Sequence, residues 1–174
     1  MQILQTSRLL LREFSAEDVD ALAKVLSDAE SMRYYPDACD RAGVEQWIVR
    51  NRQRYEIDGV GLWAMELIET GELIGDCGIV RQEVDGDELY EIGYHLRRDH
   101  WHQGLATEAA QACRDWAFAH LATDRLVSLI RPENLASCKV AERMGMTIWK
   151  KITWRALPHH VYSIGRRATV ESSP

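Results

Sequence analysis

The stretch that decides the fold is WHQGLATEA, residues Trp101 to Ala109. It follows a run of strand character, ELYEIGYHL (88–96), and opens a run of helical character, ATEAAQACRDWAFAHL (106–121). The first backbone N–H groups of a helix lack partners and carry partial positive charge, so such a turn can hold a phosphate group. Gly104 would let a ligand approach the backbone closely. The spacing alone leaves two interpretations open: an anion site, or a glycine that only makes a tight turn.

Working outward from this stretch, the apolar periodicity predicts the element order β-α-α-β-β-β-α-β-α-β-β. The predicted strands cover 8–14, 61–69, 71–84, 88–96, 125–131, 147–157 and 159–167, and the predicted helices cover 15–28, 43–56, 106–121 and 134–145. VDGD predicts a hairpin turn, Ser15 an N-cap and Gly145 a C-cap. A central β-α-β-α unit flanked by strands that are mostly antiparallel indicates an α+β fold with a mixed sheet.

The length of 174 residues suits one domain, which we place at residues 1–168, with a tail at 169–174 that we expect to fray. The N-terminal apolar run is too short and too charged for a signal peptide, and no stretch is long enough to span a membrane, which predicts a cytoplasmic protein. The four cysteines form no CxxC pair, so neither disulfides nor a zinc site are expected. A net charge of −6 argues against nucleic acid as a partner.

Three stretches together resemble the GNAT family of N-acetyltransferases, and most closely its RimJ/RimL-like branch: WHQGLATEA with ELYEIGYHL before it, RPENLASCKVAERMGM after it, and SRLLLREFSAEDVDAL at the N-terminus. The similarity runs from about residue 6 to about residue 165. It implies a twisted, mostly antiparallel sheet of about seven strands flanked by about four helices. The family's phosphate loop begins with Gln or Arg, whereas Trp101 stands first here.

The resemblance also implies acetyl-CoA as the co-substrate and a monomer or homodimer, while the spacing of the histidines indicates no metal. The loop would cradle the pyrophosphate of acetyl-CoA, and the preceding strand and an asparagine would contact its pantetheine arm. The residues in these places are His102, Gln103, Gly104, Leu105, Ala106 and Thr107 for the loop, and Tyr94, His95, Leu96 and Asn134 for the arm.

Two residues are candidates for the chemistry of acetyl transfer to an amine. Glu91 lies between Tyr90 and Ile92, on the strand face that alternation assigns to Gly93 and His95. Partial burial would raise its pKa toward the range useful for a base, although a structural glutamate is an equal interpretation. Ser137 is the candidate acid for the thiolate, with helix capping together with Asn134 as the alternative. Tyr94 is a second candidate acid.

Other side chains admit structural interpretations. The histidines at 100, 102, 159 and 160 lack the spacing of a metal site. Trp47 and Trp63 either line an acceptor pocket or pack in the core. The acidic cluster Glu83, Asp85, Asp87 and Glu88 either selects a cationic acceptor or forms a solvated turn.

The sequence therefore predicts an N-acetyltransferase that moves an acetyl group directly to a primary amine, either a protein N-terminus or a small molecule. No cysteine stands where a covalent acetyl-enzyme would need one. The first alternative is a CoA-binding or sensing module of the same fold without catalysis. The second alternative is a nucleotide-binding α/β protein. The sequence lacks the P-loop and GxGxxG patterns, which argues against it.

Overall fold

A computed structural model describes residues 1–166 and shows one mixed sheet with helices on both of its faces. The strands are β1 (Gln2–Gln5), β2 (Leu9–Arg12), β3 (Leu62–Leu67), β4 (Leu73–Val84), β5 (Asp87–Leu96), β6 (Arg125–Ile130), β7 (Thr147–Trp154) and β8 (Leu157–Gly165). The helices are α1 (Val19–Leu26), α2 (Arg41–Asp58), α3 (Leu105–His120) and α4 (Leu135–Arg143), with 3-10 turns at Ala16–Asp18 and Arg98–His100. The predicted tail, 169–174, lies outside the described residues.

The strand order across the sheet is β1-β2-β3-β4-β5-β6-β8-β7, and among the strands of residues 1–166 only β5 and β6 run parallel. The predicted α+β fold is confirmed, with eight strands rather than about seven. The additional strand is β1, which pairs antiparallel with β2 at the edge of the sheet. The β4–β5 hairpin turns at Asp85 and Gly86, both with positive φ, as the Asp-Gly pair predicts. Gly145, also with positive φ, follows the last residues of α4 as predicted.

The parallel strands β5 and β6 separate soon after they meet. Their register contains only two pairs, Tyr90 with Leu126 and Glu91 with Val127. Beyond these, the Ser128 hydroxyl donates to the Ile92 carbonyl at 2.8 Å. The rest of β5, Gly93–Leu96, therefore has β4 on one side and an open edge on the other.

Residue alternation along β5 divides the molecule into two layers. Tyr90, Ile92, Tyr94 and Leu96 pack into the core shared with α3 and α4. Glu91, Gly93 and His95 alternate with them and face the side of α1 and α2. Trp63 is 1% exposed and packs edge-on against Trp116 in the α3 layer, so it is a core residue and not an acceptor-pocket residue.

All four cysteines are free thiols, and the Sγ atoms of Cys77 and Cys113 lie 3.6 Å apart in the core. The acidic hairpin tip is exposed, with Asp85 paired to Lys150 and Glu88 to Arg81, in keeping with a solvated turn. Within residues 1–166, no helix has the length and apolar character needed to cross a membrane.

A half-buried ionic cluster fixes the start of α1 against the sheet. Arg12 donates to both carboxylate oxygens of Asp18 at 2.7 and 2.8 Å and also to Glu66. Asp18 in turn accepts the backbone N–H of Ser15 at 2.7 Å. Burial opposes ionisation of Asp18, but the bonds from Arg12 and Ser15 outweigh it and lower the pKa of this carboxyl.

We expect Asp18→Asn to reduce the free energy of unfolding by about 1–2 kcal/mol at pH 7, because it breaks a charge-assisted pair in a partly buried place. Because the pKa of Asp18 is lower in the folded state than in the unfolded state, its ionised carboxylate stabilises the fold at pH values above the unfolded pKa. This contribution is lost as the pH falls through the folded-state pKa. The difference from wild type should therefore shrink below about pH 4 in urea titrations. The control is Asp20→Asn, which breaks an exposed pair with Arg41 and should change little. Equal losses for both variants would contradict this interpretation.

Candidate active site

The turn between β5 and α3 is held at two points, by Trp101 and by Arg8. The Trp101 indole N–H donates to the Leu96 carbonyl at 2.8 Å, which fastens the loop to the end of β5. His102 and Gly104 have φ values of 61° and 78°, so the chain turns sharply before α3 begins. Arg8 donates to the Gln103 carbonyl at 3.1 Å and pairs with Glu108 at 2.6 Å. These contacts fix the loop in place, and its last residues lead directly into the first turn of α3.

Glu108 ties this loop to the edge of the sheet. Its carboxylate accepts from the Thr6 hydroxyl at 2.6 Å, the Ser7 hydroxyl at 3.0 Å and the Arg8 backbone N–H at 3.0 Å. Burial alone would raise the pKa of Glu108, but these hydrogen bonds lower it. The residues before β2 thus hold the N-terminus of α3 in place.

A cavity of about 470 Å³ lies between this loop, the open edge of β5 and the start of α4. Its lining includes every residue predicted to contact acetyl-CoA or to carry the proton chemistry, except Glu91 and Gln103. These lining residues are Tyr94, His95, Leu96, His102, Gly104, Leu105, Ala106, Thr107, Asn134 and Ser137. The structure thus brings the loop, the end of β5 and the start of α4 together around one cavity.

The backbone of β5 presents polar groups to this cavity. The Ile92 carbonyl points toward β6, where it meets Ser128. Because backbone groups alternate in direction along a strand, those of Tyr94 point toward the same open edge. No β6 residue is in register with Tyr94, so its N–H and C=O face the cavity without a strand partner. The edge can therefore pair with an extended ligand.

Tyr94 and Asn134 fix the start of α4 on the far side of the cavity from β5. The Tyr94 hydroxyl donates to the Ser137 carbonyl at 2.9 Å, and the Asn134 side chain accepts the Ser137 N–H at 3.2 Å. Asn134 is thus the N-cap of α4. Burial raises the pKa of Tyr94 well above its ordinary value. Ser137 lines the cavity, and its hydroxyl makes no hydrogen bond to another described residue.

The lining also contains cations that the sequence analysis did not select. Lys139 and Arg143 lie four residues apart on α4, and neither forms an ion pair with a carboxylate among residues 1–166. That spacing on one helical face is a signal that could have found them. Together with the N-terminus of α3, they make the lining suited to an anion.

Glu91 lies at the point where β5 and β6 part. Its Oε1 accepts the Leu129 N–H at 3.2 Å, and its Oε2 accepts the Gln82 side-chain amide at 3.0 Å. It does not line the cavity described above, because it faces the side of α1 and α2. Burial raises the pKa of Glu91, and these two hydrogen bonds and nearby Arg54 and Arg155 only partly offset the shift.

The spacing of His100, His102, His159 and His160 predicts no metal site. Within residues 1–166, no three or more His, Cys, Asp or Glu side chains converge in a manner that could hold a metal ion. His95 is engaged by a carboxylate and a tyrosine, and Arg97 lies 2.8 Å from His100.

Comparison with known proteins agrees with this architecture. A family model described as Acetyltransferase (GNAT) domain matches residues 8–147. The chain belongs to the GNAT acetyltransferase family. YkkB of Bacillus subtilis (strain 168), described as an uncharacterized protein, is 38% identical over 160 residues, covering 91% of this chain and 93% of that protein. The uncharacterized N-acetyltransferase p20 of Bacillus licheniformis is 29% identical, covering 96% and 98%.

Solved acetyltransferase structures share the fold. The acetyltransferase from Agrobacterium tumefaciens str. C58 is 32% identical with a TM-score of 0.80, covering 94% of each chain. RimL, a ribosomal L7/L12 alpha-N-protein acetyltransferase, superposes in its apo form with a TM-score of 0.80 at 18% identity, covering 95% of this chain and 94% of that chain. The family model and the N-acetyltransferase relatives identify this GNAT protein as an N-acetyltransferase.

Proposed function

We propose that this GNAT protein transfers the acetyl group of acetyl-CoA directly to a primary amine in a ternary complex. The observation that carries the proposal is the cavity in which the open edge of β5, the N-terminus of α3 and the unpaired cations of α4 meet. Each of these suits one part of CoA. The unpaired backbone N–H and C=O groups of β5 can hydrogen-bond the amides of the pantetheine arm. The helix N-terminus and the cations can bind phosphates.

In this arrangement the backbone from His102 to Thr107 cradles the pyrophosphate, with Lys139 and Arg143 close by. The pantetheine arm pairs with the edge of β5 from Tyr94 to Leu96 and reaches Asn134. Two GNAT neighbours whose structures are described as complexes with coenzyme A, RimL and the aminoglycoside acetyltransferase AAC(6')-Ib, support this choice of ligand. The acetyl group then lies near Tyr94, whose backbone N–H is the proposed donor to the developing oxyanion.

We assign the proton chemistry of the reaction to Glu91 and Ser137. A lysine-like amine has a pKa near ~10.4 and an α-amino group near ~7.7, so the former needs a base at neutral pH. Glu91 takes the first proton of the acceptor ammonium through water, and its raised pKa improves it as a base. Ser137 donates its hydroxyl hydrogen toward the sulfur of the leaving thiolate. No covalent acetyl-enzyme is needed.

The acceptor is either a protein N-terminus or a small amine. The RimJ/RimL-like motifs of the sequence favour a protein N-terminus, whereas the likeness to AAC(6')-Ib is a likeness of fold alone. The experiment is to incubate the protein with acetyl-CoA and a panel of N-terminal peptides, polyamines and aminoglycosides, and to record products by mass spectrometry.

We expect at least one member of the panel to gain a single acetyl group in an enzyme-dependent manner. Acetylation of small amines with every peptide unmodified would remove the protein N-terminus as acceptor. Tight acetyl-CoA binding without transfer to any amine would instead identify a non-catalytic CoA-binding module and overturn the proposed function.

A further inference from the structure

A chain of partly buried hydrogen bonds runs beside the cavity, on the face of β5 that points toward α1 and α2. The Tyr35 hydroxyl lies 2.6 Å from His95 Nε2, and His95 Nδ1 lies 2.7 Å from Asp76 Oδ1. The indole N–H of Trp47 donates to the other Asp76 oxygen at 2.9 Å. Four residues from four separate parts of the chain thus form one continuous network of side chains that the reaction described above does not use.

The fold enforces this network. Asp76 and His95 are partners in the β4–β5 register, and Trp47 reaches them from α2. The Asp76 side chain is 0% exposed and that of His95 7% exposed. The rings of Tyr35 and Trp47 lie 5.1 and 5.2 Å from the His95 ring. The imidazole is therefore confined on two sides, as a group held for a directional task would be.

The partners determine which nitrogen of His95 carries hydrogen. An ionised carboxylate only accepts, so Nδ1–H donates to Asp76. The Nε2 lone pair then accepts the O–H of Tyr35. Asp76 therefore orients His95, and His95 can act as a base toward the Tyr35 hydroxyl. The same connectivity of carboxylate, base and hydroxyl activates nucleophiles in other enzymes.

Of the network, His95 and Tyr35 line the cavity, and Tyr35 is the more exposed of the two. It lies in the segment between α1 and α2, lines the cavity together with Tyr94 and Ser137, and is 42% exposed. Its hydroxyl end is turned inward to His95. Loss of hydration at the hydroxyl, together with the charges of Glu91 and Asp76, raises the pKa of Tyr35, so the phenol keeps its proton at neutral pH.

We propose that Tyr35 accepts a proton from the nitrogen of the acceptor during acetyl transfer, while passing its own hydroxyl proton to His95. This inference rests on the proposed acetyl transfer. A primary ammonium loses two protons when it becomes an amide. The first goes through water to Glu91 before attack. The second leaves the nitrogen as the N–C bond forms, and it is the one that Tyr35 takes.

The atoms of this step balance. The nitrogen forms a bond to the acetyl carbon, and the carbon–sulfur bond breaks with its electron pair leaving on sulfur. The proton from nitrogen bonds to the Tyr35 oxygen, whose former hydrogen bonds to His95 Nε2. The imidazolium so formed is paired with Asp76. It returns its proton to solvent after product release. The thiolate takes the hydroxyl proton of Ser137 and leaves as the thiol, and water returns a proton to the Ser137 oxygen.

The first test measures acetyl transfer and acetyl-CoA affinity in wild type and Tyr35→Phe, with the best acceptor of the panel. We expect kcat to fall roughly tenfold, a modest loss because water can take the second proton less efficiently. Acetyl-CoA affinity should stay within about twofold. The control is Tyr90→Phe, which removes a hydroxyl from the opposite face of β5 and should leave kcat unchanged.

The second test separates proton transfer from a structural role. His95→Ala should lose activity, and added imidazole, methylimidazole and chloroimidazole should restore it in the order of their basicity. Restoration that follows size alone, or an unchanged kcat in Tyr35→Phe, would overturn the relay while leaving the acetyltransferase assignment intact. A wild-type protein that binds acetyl-CoA but acetylates no amine would overturn both.

Discussion

Thr107→Glu is expected to weaken acetyl-CoA binding about a hundredfold, which corresponds to about 2.8 kcal/mol. Thr107 is the third residue of α3 and lines the cavity. A carboxylate there lies beside the backbone N–H groups that the pyrophosphate is proposed to use, and it both occupies them and repels the phosphates. The helix itself should tolerate the change, because an acidic residue is favourable in the first turn.

Two controls separate charge from size and from general effects. Thr107→Gln adds nearly the same volume without the charge and should lose far less affinity. Ala42→Glu places the same carboxylate in the first turn of α2, at an exposed position outside the cavity, and should bind acetyl-CoA as wild type does. Isothermal titration calorimetry at low and high salt provides the measurement. Equal losses in the Gln and Glu variants at position 107 would show that charge is not the cause.

Glu91→Gln is expected to lower kcat about a hundredfold, because general-base removal typically costs at least that factor. The same change should make the protein more stable at neutral pH. Burial raises the pKa of Glu91, so the folded state favours the protonated form, and wild type loses stability as pH rises above the unfolded value of 4.5. Glutamine has no such loss, and its oxygen can still accept the Leu129 N–H.

The stability advantage of Glu91→Gln should therefore be small at pH 4 and larger at pH 8 in thermal unfolding. Glu88→Gln is the matched control, since Glu88 lies exposed near the tip of the same strand and pairs with Arg81. It should change neither kcat nor the pH dependence. A Glu91→Gln variant with wild-type kcat would show that Glu91 orders the sheet at the separation of β5 and β6 and takes no proton.

Long elements with strong periodicity were accessible from the sequence, whereas short edge elements were not. α3 and β5 fall within one residue of their predicted bounds because their patterns extend over many residues. β1 has only four residues, Gln2–Gln5, of mixed polarity, and it is a strand because β2 offers an open edge. The helix predicted at 15–28 begins as a 3-10 turn, since Asp18 turns its carboxylate back to Ser15 and Arg12.

The candidate site likewise has one part that could be predicted from the sequence and one part that could not. The loop around Gly104 could be predicted because one local stretch carries its strand, glycine and helix start. The network of Tyr35, His95 and Asp76 could not, because it depends on the β4–β5 register and on the path of the chain between α1 and α2. Trp47 and Trp63 were equivalent in sequence, yet only Trp47 reaches a polar partner beside the cavity.

The central claim is that the cavity beside the α3 N-terminus binds acetyl-CoA, and thermal unfolding with acetyl-CoA, CoA, ATP and NAD tests it most directly. A ligand at ~100 times its dissociation constant stabilises the folded state by about 2.7 kcal/mol. We predict a rise in melting temperature of that order with acetyl-CoA and CoA, and little or none with ATP or NAD. An unchanged melting temperature with acetyl-CoA, or an equal rise with ATP, would contradict the assignment of the cavity.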